Sequence, residues 1–321
     1  MPEVDPGQSR PDISILVVSY NTAGLLARMF ESIERARADL ELEIIVVDNA
    51  SHDDSVEVVR RCWPEAQIIE NRTNVGFGRA NNQAVERAKG RYVLLLNTDA
   101  FVASDTLVTT VGYMDEHADC GILGVRLTGE DGSIQPSCRY FPSPFGNFLS
   151  SMGMRPVLGA RLVDDPEWNP AVPRECDWVP GCYFLIRKEV IDDVGLFDPR
   201  YFLYYEEVDH CREAKSRGWK VQYFPATSTI HLGGMSAESL GRVGKSSRQI
   251  PVLQIESELL YFRKHEGVRG VAACLFFRML TEVVNGAKSA VRRMDVGESV
   301  RNARTIFGAV RRTRFGAAPA R

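Results

Sequence analysis

RYVLLLNTD, residues 91–99, is the stretch from which the fold can be read. Five apolar side chains follow one another without a polar break and stop at an amide, a hydroxyl and a carboxylate. A run of that length reads as a strand, and one that is apolar on both faces must be covered on both faces. The pattern recurs upstream as ISILVVSYN at 13–21, EIIVVDN at 43–49 and QIIEN at 67–71. Between these runs the apolar spacing turns helical: at 26–38 through Leu26, Met29, Phe30 and Ile33, at 53–62 through Val56, Val58 and Val59, and again at 78–88. Strands alternating with helices predict an α/β fold, a mostly parallel sheet flanked by helices. Such sheets bind ligands beyond the carboxyl ends of their strands. Here every strand ends in polar residues.

Further along, a helix is predicted over 104–117, a Pro-, Gly- and aromatic-rich loop over 136–173, and a strand over 177–187. Helices are predicted over 188–194 and 206–217, two short strands over 220–224 and 228–231, and a helical tail from 247. The loop displays Tyr140, Phe141, Phe145 and Phe148 as exposed aromatics, and long loops of this kind commonly bind ligands.

The chain has 321 residues, 44% hydrophobic and 25% charged, with a mean hydropathy of −0.18. Those proportions exclude a fibrous, a disordered and a polytopic membrane protein. The net charge of −3 hides an asymmetry: residues 268–321 carry 11 Lys/Arg against 3 Asp/Glu, so the remainder stands at −11. An acidic body argues against nucleic acid as partner. Seven cysteines without a C-x-x-C pair read as reduced structural thiols, and residues 1–12 lack the apolar core of a signal peptide. With no long apolar run, the expected setting is cytoplasmic.

Several clusters at strand ends could carry chemistry, each with a plainer reading beside it. Asp48 can accept from a base or ribose, or cap the following helix. In NVGFGRANN (74–82) the glycines can admit a phosphate beside Arg79, or serve as a simple loop; the missing third glycine disfavours a dinucleotide-binding oxidoreductase. Asn97-Thr98-Asp99 suits a divalent cation bridging a diphosphate, or a capping turn. Tyr204-Tyr205-Glu206-Glu207-Val208-Asp209 crowds three carboxylates into one turn, which either raises the pKa of a base or places acids at a helix N-terminus. Helical phase sets Glu206 and Asp209 on one face and Glu207 about 100° away. His231 is a candidate metal ligand or a core histidine.

In order, VVSYN (17–21), VVDNASHDDS (46–55), NVGFGRANN, LLLNTDA (94–100), WVPGCYFLIRK (178–188), GLFDPRYFLYYEEVDHCREAKSRGW (195–219) and TIHLGG (229–234) resemble the family-2 glycosyltransferases, in particular their rhamnosyltransferase-like branch. The resemblance spans about residues 12–235. It implies a GT-A fold over 12–245, with a nucleotide-binding half (12–103) and an acceptor half (104–245), between a flexible N-terminus (1–11) and a basic helical extension (246–321). It implies inverting transfer of a sugar, rhamnose from dTDP-rhamnose being the foremost choice, from a nucleoside diphosphate to a lipid-linked or polysaccharide acceptor in bacterial-type surface glycan synthesis. Carried onto this sequence, Ser19, Tyr20, Asn21 and Asp48 would hold the base and ribose, and Arg79, Asn82 and Asn97 would lie along the diphosphate. Asp99 and His231 would bind Mn²⁺ or Mg²⁺, and Glu207 would be the base. Trp178, Gly181, Glu206 and Asp209 would contact donor sugar and acceptor. Two departures stand out: Asn97 replaces the first acid of the family's D-x-D, and Glu207 stands where Asp is usual. A nucleotidyltransferase or a catalytically inactive sugar-nucleotide-binding partner is the alternative.

In the tail, an apolar stripe around 275–280 is followed by Arg292, Arg293, Arg301, Arg304, Arg311, Arg312 and Arg314. A basic amphipathic helix of this type lies on an anionic membrane, here the inner face of the plasma membrane. Packing on the catalytic domain or a homodimer contact is the other reading.

Overall fold

A computed structural model describes residues 10–233, 252–292 and 297–319. The N-terminus expected to be flexible lies outside the described residues apart from Arg10 and Pro11, as does the expected join at 245/246. The order is β1 (Ile13–Ser19), α1 (Ala23–Ala36), β2 (Leu42–Asp48), α2 (Ser55–Cys62), β3 (Gln67–Glu70), α3 (Phe77–Val85), β4 (Tyr92–Leu96), β5 (Ala100–Val102) and α4 (Thr106–Glu116). Then come β6 (Cys120–Thr128), β7 (Ile134–Gln135), α5 (Pro144–Ser151), β8 (Arg174–Glu175), β9 (Tyr183–Arg187), α6 (Lys188–Val194), α7 (Glu206–Ser216) and β10 (Lys220–His231). Two long helices follow, α8 (Val252–Val291) and α9 (Gly297–Arg312).

Among the described residues ten strands form one sheet, with the path β3-β2-β1-β4-β9-β6-β10-β5. The parallel pairing expected from residues 13–97 is present in β3-β2-β1-β4. Beyond β4 the sheet becomes mixed, because β9 runs antiparallel to both β4 and β6 while β6 and β10 pair in parallel. Alternate residues of each strand enter opposite cores. Ile15, Val17, Ile44 and Val46 pack under α1, α2 and α4. Leu16, Ile45, Val47 and Leu95 pack toward α3, α6, α7 and the C-terminal helices. Strands apolar on both faces are satisfied by this three-layer arrangement.

Register aligns the strand ends. Ser19 is opposite Asp48, which in turn is opposite Glu70. Antiparallel β9 brings Gly181 and Cys182 to the same edge, since Tyr183 pairs with Leu96. His231, at the end of β10, pairs with Ala100. Residues far apart in sequence therefore meet along one edge.

One expectation is corrected here. Phe145 and Phe148 are not displayed to solvent: α5, capped by the Ser143 hydroxyl, sets both rings at a tilt against Phe277 of α8. The tail packs along one side on the body of the protein. Leu259, Tyr261, Phe262, Val271, Cys274 and Ile306 are buried in the main core. Arg278 is spent on buried Glu258, and Arg312 on buried Glu256. α8 breaks at Gly267 (φ 67°), where a left-handed residue turns the chain between two helical segments. Among the described residues no helix is long and apolar enough to cross a membrane.

Candidate active site

The aligned strand ends open into a cleft of about 280 Å³ lined by Tyr20, Asn49, Asn74, Asn97, Asp99, Gly181, Tyr204, Glu206, Glu207 and His231, among others. A second cavity of about 530 Å³ lies between α5, α7 and α8, with Arg139, Trp178, Phe148, Phe277 and Arg278 in its wall. Glu207 lines both. Backbone strain gathers at this edge. Asn21 (φ 54°) and Ala50 (φ 68°) follow β1 and β2, and Tyr204 (φ 71°) and Tyr205 (φ 72°) precede α7. Left-handed non-glycine residues cost on the order of 1–3 kcal/mol each and persist where surrounding structure over-determines them.

Two consecutive left-handed tyrosines aim the first turn of α7 into the cleft. Glu206 and Glu207 each keep a solvent-hidden Oε2 without a hydrogen-bond partner. Burial pushes the Glu206 carboxyl well above its ordinary pKa, and the charge of Glu207 pushes it further. Burial also raises Glu207, opposed by backbone N–H groups and by Arg139. A carboxylate raised in this way accepts a proton readily.

The edge at Asp99 fits a cation. Gln135 donates its Nε2–H to the carbonyl of His231 (2.8 Å), which leaves Gln135 Oε1 to accept from His231 Nδ1 (2.9 Å). The imidazole Nε2 therefore carries the free lone pair, 3.8 Å from Asp99 Oδ1, itself buried and without a hydrogen-bond partner. Burial lowers the His231 pKa, although Asp99 opposes the shift. Two facing acceptors with no proton between them suit a divalent metal. Asp209, Glu213 and His265 also bring ligand atoms within 4.8 Å of one another, but the Lys264 ammonium occupies that cluster, 2.7 Å from Asp209 and 3.0 Å from Glu213.

Other residues named from sequence fall differently. Asp209 does not face the cleft: its carboxylate is buried against Lys264 and, at 2.6 Å, His265 of α8. Arg79 and Asn82 do not line the cleft either. Arg79 donates to the Pro199 carbonyl, and Asn82 both donates to and accepts from the Phe197 backbone. The glycines of 74–82 serve this same docking: a Cβ on Gly76 would sit 2.5 Å from the Phe202 carbonyl, which already accepts from Phe77 N–H. Ser19 is buried on Thr22, and Asn21 accepts from His52 N–H, so both hold loops in place. Asp48 binds Ser51 N–H through Oδ2 and leaves a buried Oδ1 without a partner. Tyr20, Asn97 and Gly181 line the cleft, while Trp178 lines the second cavity beneath the Arg139 guanidinium. Sequence reasoning did not single out Asn49, Asn74 or Arg139. Asn49 and Asn74 hydrogen-bond each other across two strand-end loops, a pairing signalled in sequence only by amides at successive strand ends.

A parallel α/β half whose strand-end edge carries acid and imidazole, set against a helix-borne pair of glutamates, defines a GT-A-like fold. The family model for glycosyl transferase family 2 matches residues 14–195, more than half of the chain, and the chain belongs to that family. It is a glycosyltransferase. N-acetylglucosaminyl-diphospho-decaprenol L-rhamnosyltransferase of Mycobacterium tuberculosis is 26% identical over 249 residues, covering 72% of this chain and 78% of that protein. Rhamnosyltransferase WbbL of Escherichia coli K12 is 28% identical over 228 residues, covering 68% and 83%. In fold, the chain resembles Staphylococcus aureus TarS 1–349 with a TM-score of 0.52 at 14% identity, covering 94% of this chain and 91% of that one. It also resembles GalNAc-T7, solved with UDP, GalNAc and Mn²⁺, with a TM-score of 0.54 at 17% identity, covering 80% and 48%.

Proposed function

We propose that the protein transfers a sugar, with inversion, from a nucleoside diphosphate to the hydroxyl of a lipid-linked or glycan acceptor, with Glu207 as the base. The observation that carries this reading is the position of Glu207 in the wall shared by the donor-side cleft and the second cavity. The acceptor hydroxyl enters from the second cavity, and Glu207 takes its proton as the oxygen bonds to the anomeric carbon. The bond from that carbon to the diphosphate oxygen breaks in the same displacement, so no enzyme nucleophile is needed. Arg139 helps keep Glu207 ionised between turnovers. Tyr20 and the free Asp48 Oδ1 serve the base and ribose. Asp99 and His231 would hold a Mn²⁺ or Mg²⁺ ion, which when bound neutralises charge on the departing diphosphate.

Rhamnose is the sugar favoured by the names of the two rhamnosyltransferase relatives, and a diphospho-polyprenol acceptor by the name of the first; dTDP-rhamnose is the donor we put forward. Synthesis of nucleotide sugars is disfavoured, because that chemistry calls for a Gly-rich loop with Arg and Lys directly after β1, where this chain has Ser19-Tyr20-Asn21. A thermal-shift panel of nucleotide sugars with and without Mn²⁺ tests the reading, since a ligand at 100 times its Kd stabilises by about 2.7 kcal/mol. We expect a metal-dependent shift with one nucleotide sugar and an inverted anomeric centre in the product. Retained configuration, or no shift with any sugar nucleotide, refutes it.

A further inference from the structure

The outward face of α8 and α9 has no partner among the described residues, and its composition is uneven. From Gly267 onward, α8 turns Cys274, Phe277 and Thr281 inward. The opposite side presents Ala272, Phe276, Val283 and Ala287 as one exposed stripe, with Phe276 62% and Val283 63% exposed. α9 packs antiparallel beside it, with Ser299 on Gly286, Asn302 on Glu282 and Arg312 on Glu256. Buried Ile306 and Ala309 mark its inner side. At 100° per residue, Val300, Arg304, Phe307 and Arg311 then lie about 100–160° from Ile306, on the flank that continues the α8 stripe. Phe307 is 63% exposed, and Arg304 and Arg311 are exposed on either side of it. The acids of these segments lie elsewhere. Glu282 is buried, and Glu298, nine residues before Phe307, is on the opposite side of α9.

The geometry points to this two-helix face as a docking surface for an anionic phospholipid bilayer, with Phe276, Val283 and Phe307 entering the headgroup boundary and Arg304 and Arg311 on lipid phosphates. Apolar side chains ringed by arginine match an interface that is apolar below and negative above. A second copy of the chain would set these arginines against each other, and duplex nucleic acid offers nothing to the phenylalanines. α8 also walls the cavity beside Glu207 with its inner side, so one helix would place the reaction next to the bilayer. The surface deepens the lipid-linked reading of the acceptor, yet vesicle binding is read without turnover, so its failure leaves the transfer reaction standing.

The test is co-sedimentation of the full chain with phosphatidylcholine vesicles, with and without phosphatidylglycerol. Two variants are compared: Phe276→Ser/Phe307→Ser, which removes the apolar contacts, and Arg304→Glu/Arg311→Glu, which reverses the charge. All four side chains are exposed, and an unchanged thermal midpoint confirms folding. Binding is expected only with phosphatidylglycerol, weakened by salt, and reduced about tenfold or more in each variant. Equal binding to neutral vesicles overturns the proposal, as does wild-type binding by both folded variants. A solution dimer that Phe276→Ser/Phe307→Ser dissociates assigns the face to a second copy and overturns it, and tighter binding to duplex DNA than to the vesicles does the same.

Discussion

Glu207→Gln changes one atom in the wall between the two cavities. The amide keeps the length and shape of the side chain. It cannot take a proton. Loss of a general base costs about 10²–10⁴ in rate, or about 2.7–5.4 kcal/mol of barrier at 1.36 kcal/mol per tenfold. Stability should move the other way or not at all: burial raises the Glu207 pKa, so the folded protein holds that carboxylate at a cost which a neutral amide removes. The expected result is kcat down by that factor, with donor Kd in Mn²⁺ and thermal midpoint essentially unchanged. Glu207→Asp, shorter by one methylene, should retain part of the activity. Turnover kinetics, calorimetric donor titration and a melting curve on the same preparation separate these outcomes. Normal turnover by Glu207→Gln beside a dead Glu206→Gln would move the base to Glu206 and refute the reasoning.

Asp209→Asn should lower unfolding stability by about 1–3 kcal/mol, because it weakens charged hydrogen bonds to Lys264 and His265, while donor affinity is kept; a kcat loss at unchanged stability would return Asp209 to the site. Gln135→Leu frees the His231 ring and should weaken Mn²⁺ binding by about 10–100-fold in titration calorimetry, an effect whose absence removes His231 from the ligand set. Glu206 has its pKa raised in the fold, so the native state holds more protons than the unfolded state from the ordinary carboxyl pKa upward. Its contribution to stability therefore falls as pH rises through that window, and Glu206→Gln should be more stable than the parent at neutral pH, with the gap closing in acid. Gly76→Ala, at φ 92° and with a Cβ 2.5 Å from the Phe202 carbonyl, should cost at least about 1–2 kcal/mol in denaturant unfolding and loosen the loop ahead of α7.

The sequence by itself determined the parallel half of the sheet and the polar edge on which the site is built. β1, β2, β3 and β4 are runs whose local pattern leaves one conformation, and a parallel sheet puts their polar ends together whatever the rest of the chain does. The resemblance of its ordered motifs likewise identified the family. Local pattern did not reveal β5 or β6, since residues 100–102 are too few to show a period and Gly121, Gly124 and Arg126 interrupt the apolar run of 120–128. Tertiary structure decided which side chains the site uses. Helical phase placed Glu206 and Asp209 on one face, but it could not say that α8 would bring Lys264 and His265 to Asp209 while Glu206 stayed on the cleft. Arg79 and Asn82 read as phosphate contacts until the 196–202 loop came to occupy them, and Arg278 and Arg312 read as surface charge until Glu258 and Glu256 were buried beneath them. His231 gained a defined ring orientation from Gln135, a partner 96 residues away. A side chain's periodic position tells whether it is buried; what it is buried against is set by chain distant in sequence, and at this site those distant partners separate a functional charge from a structural one.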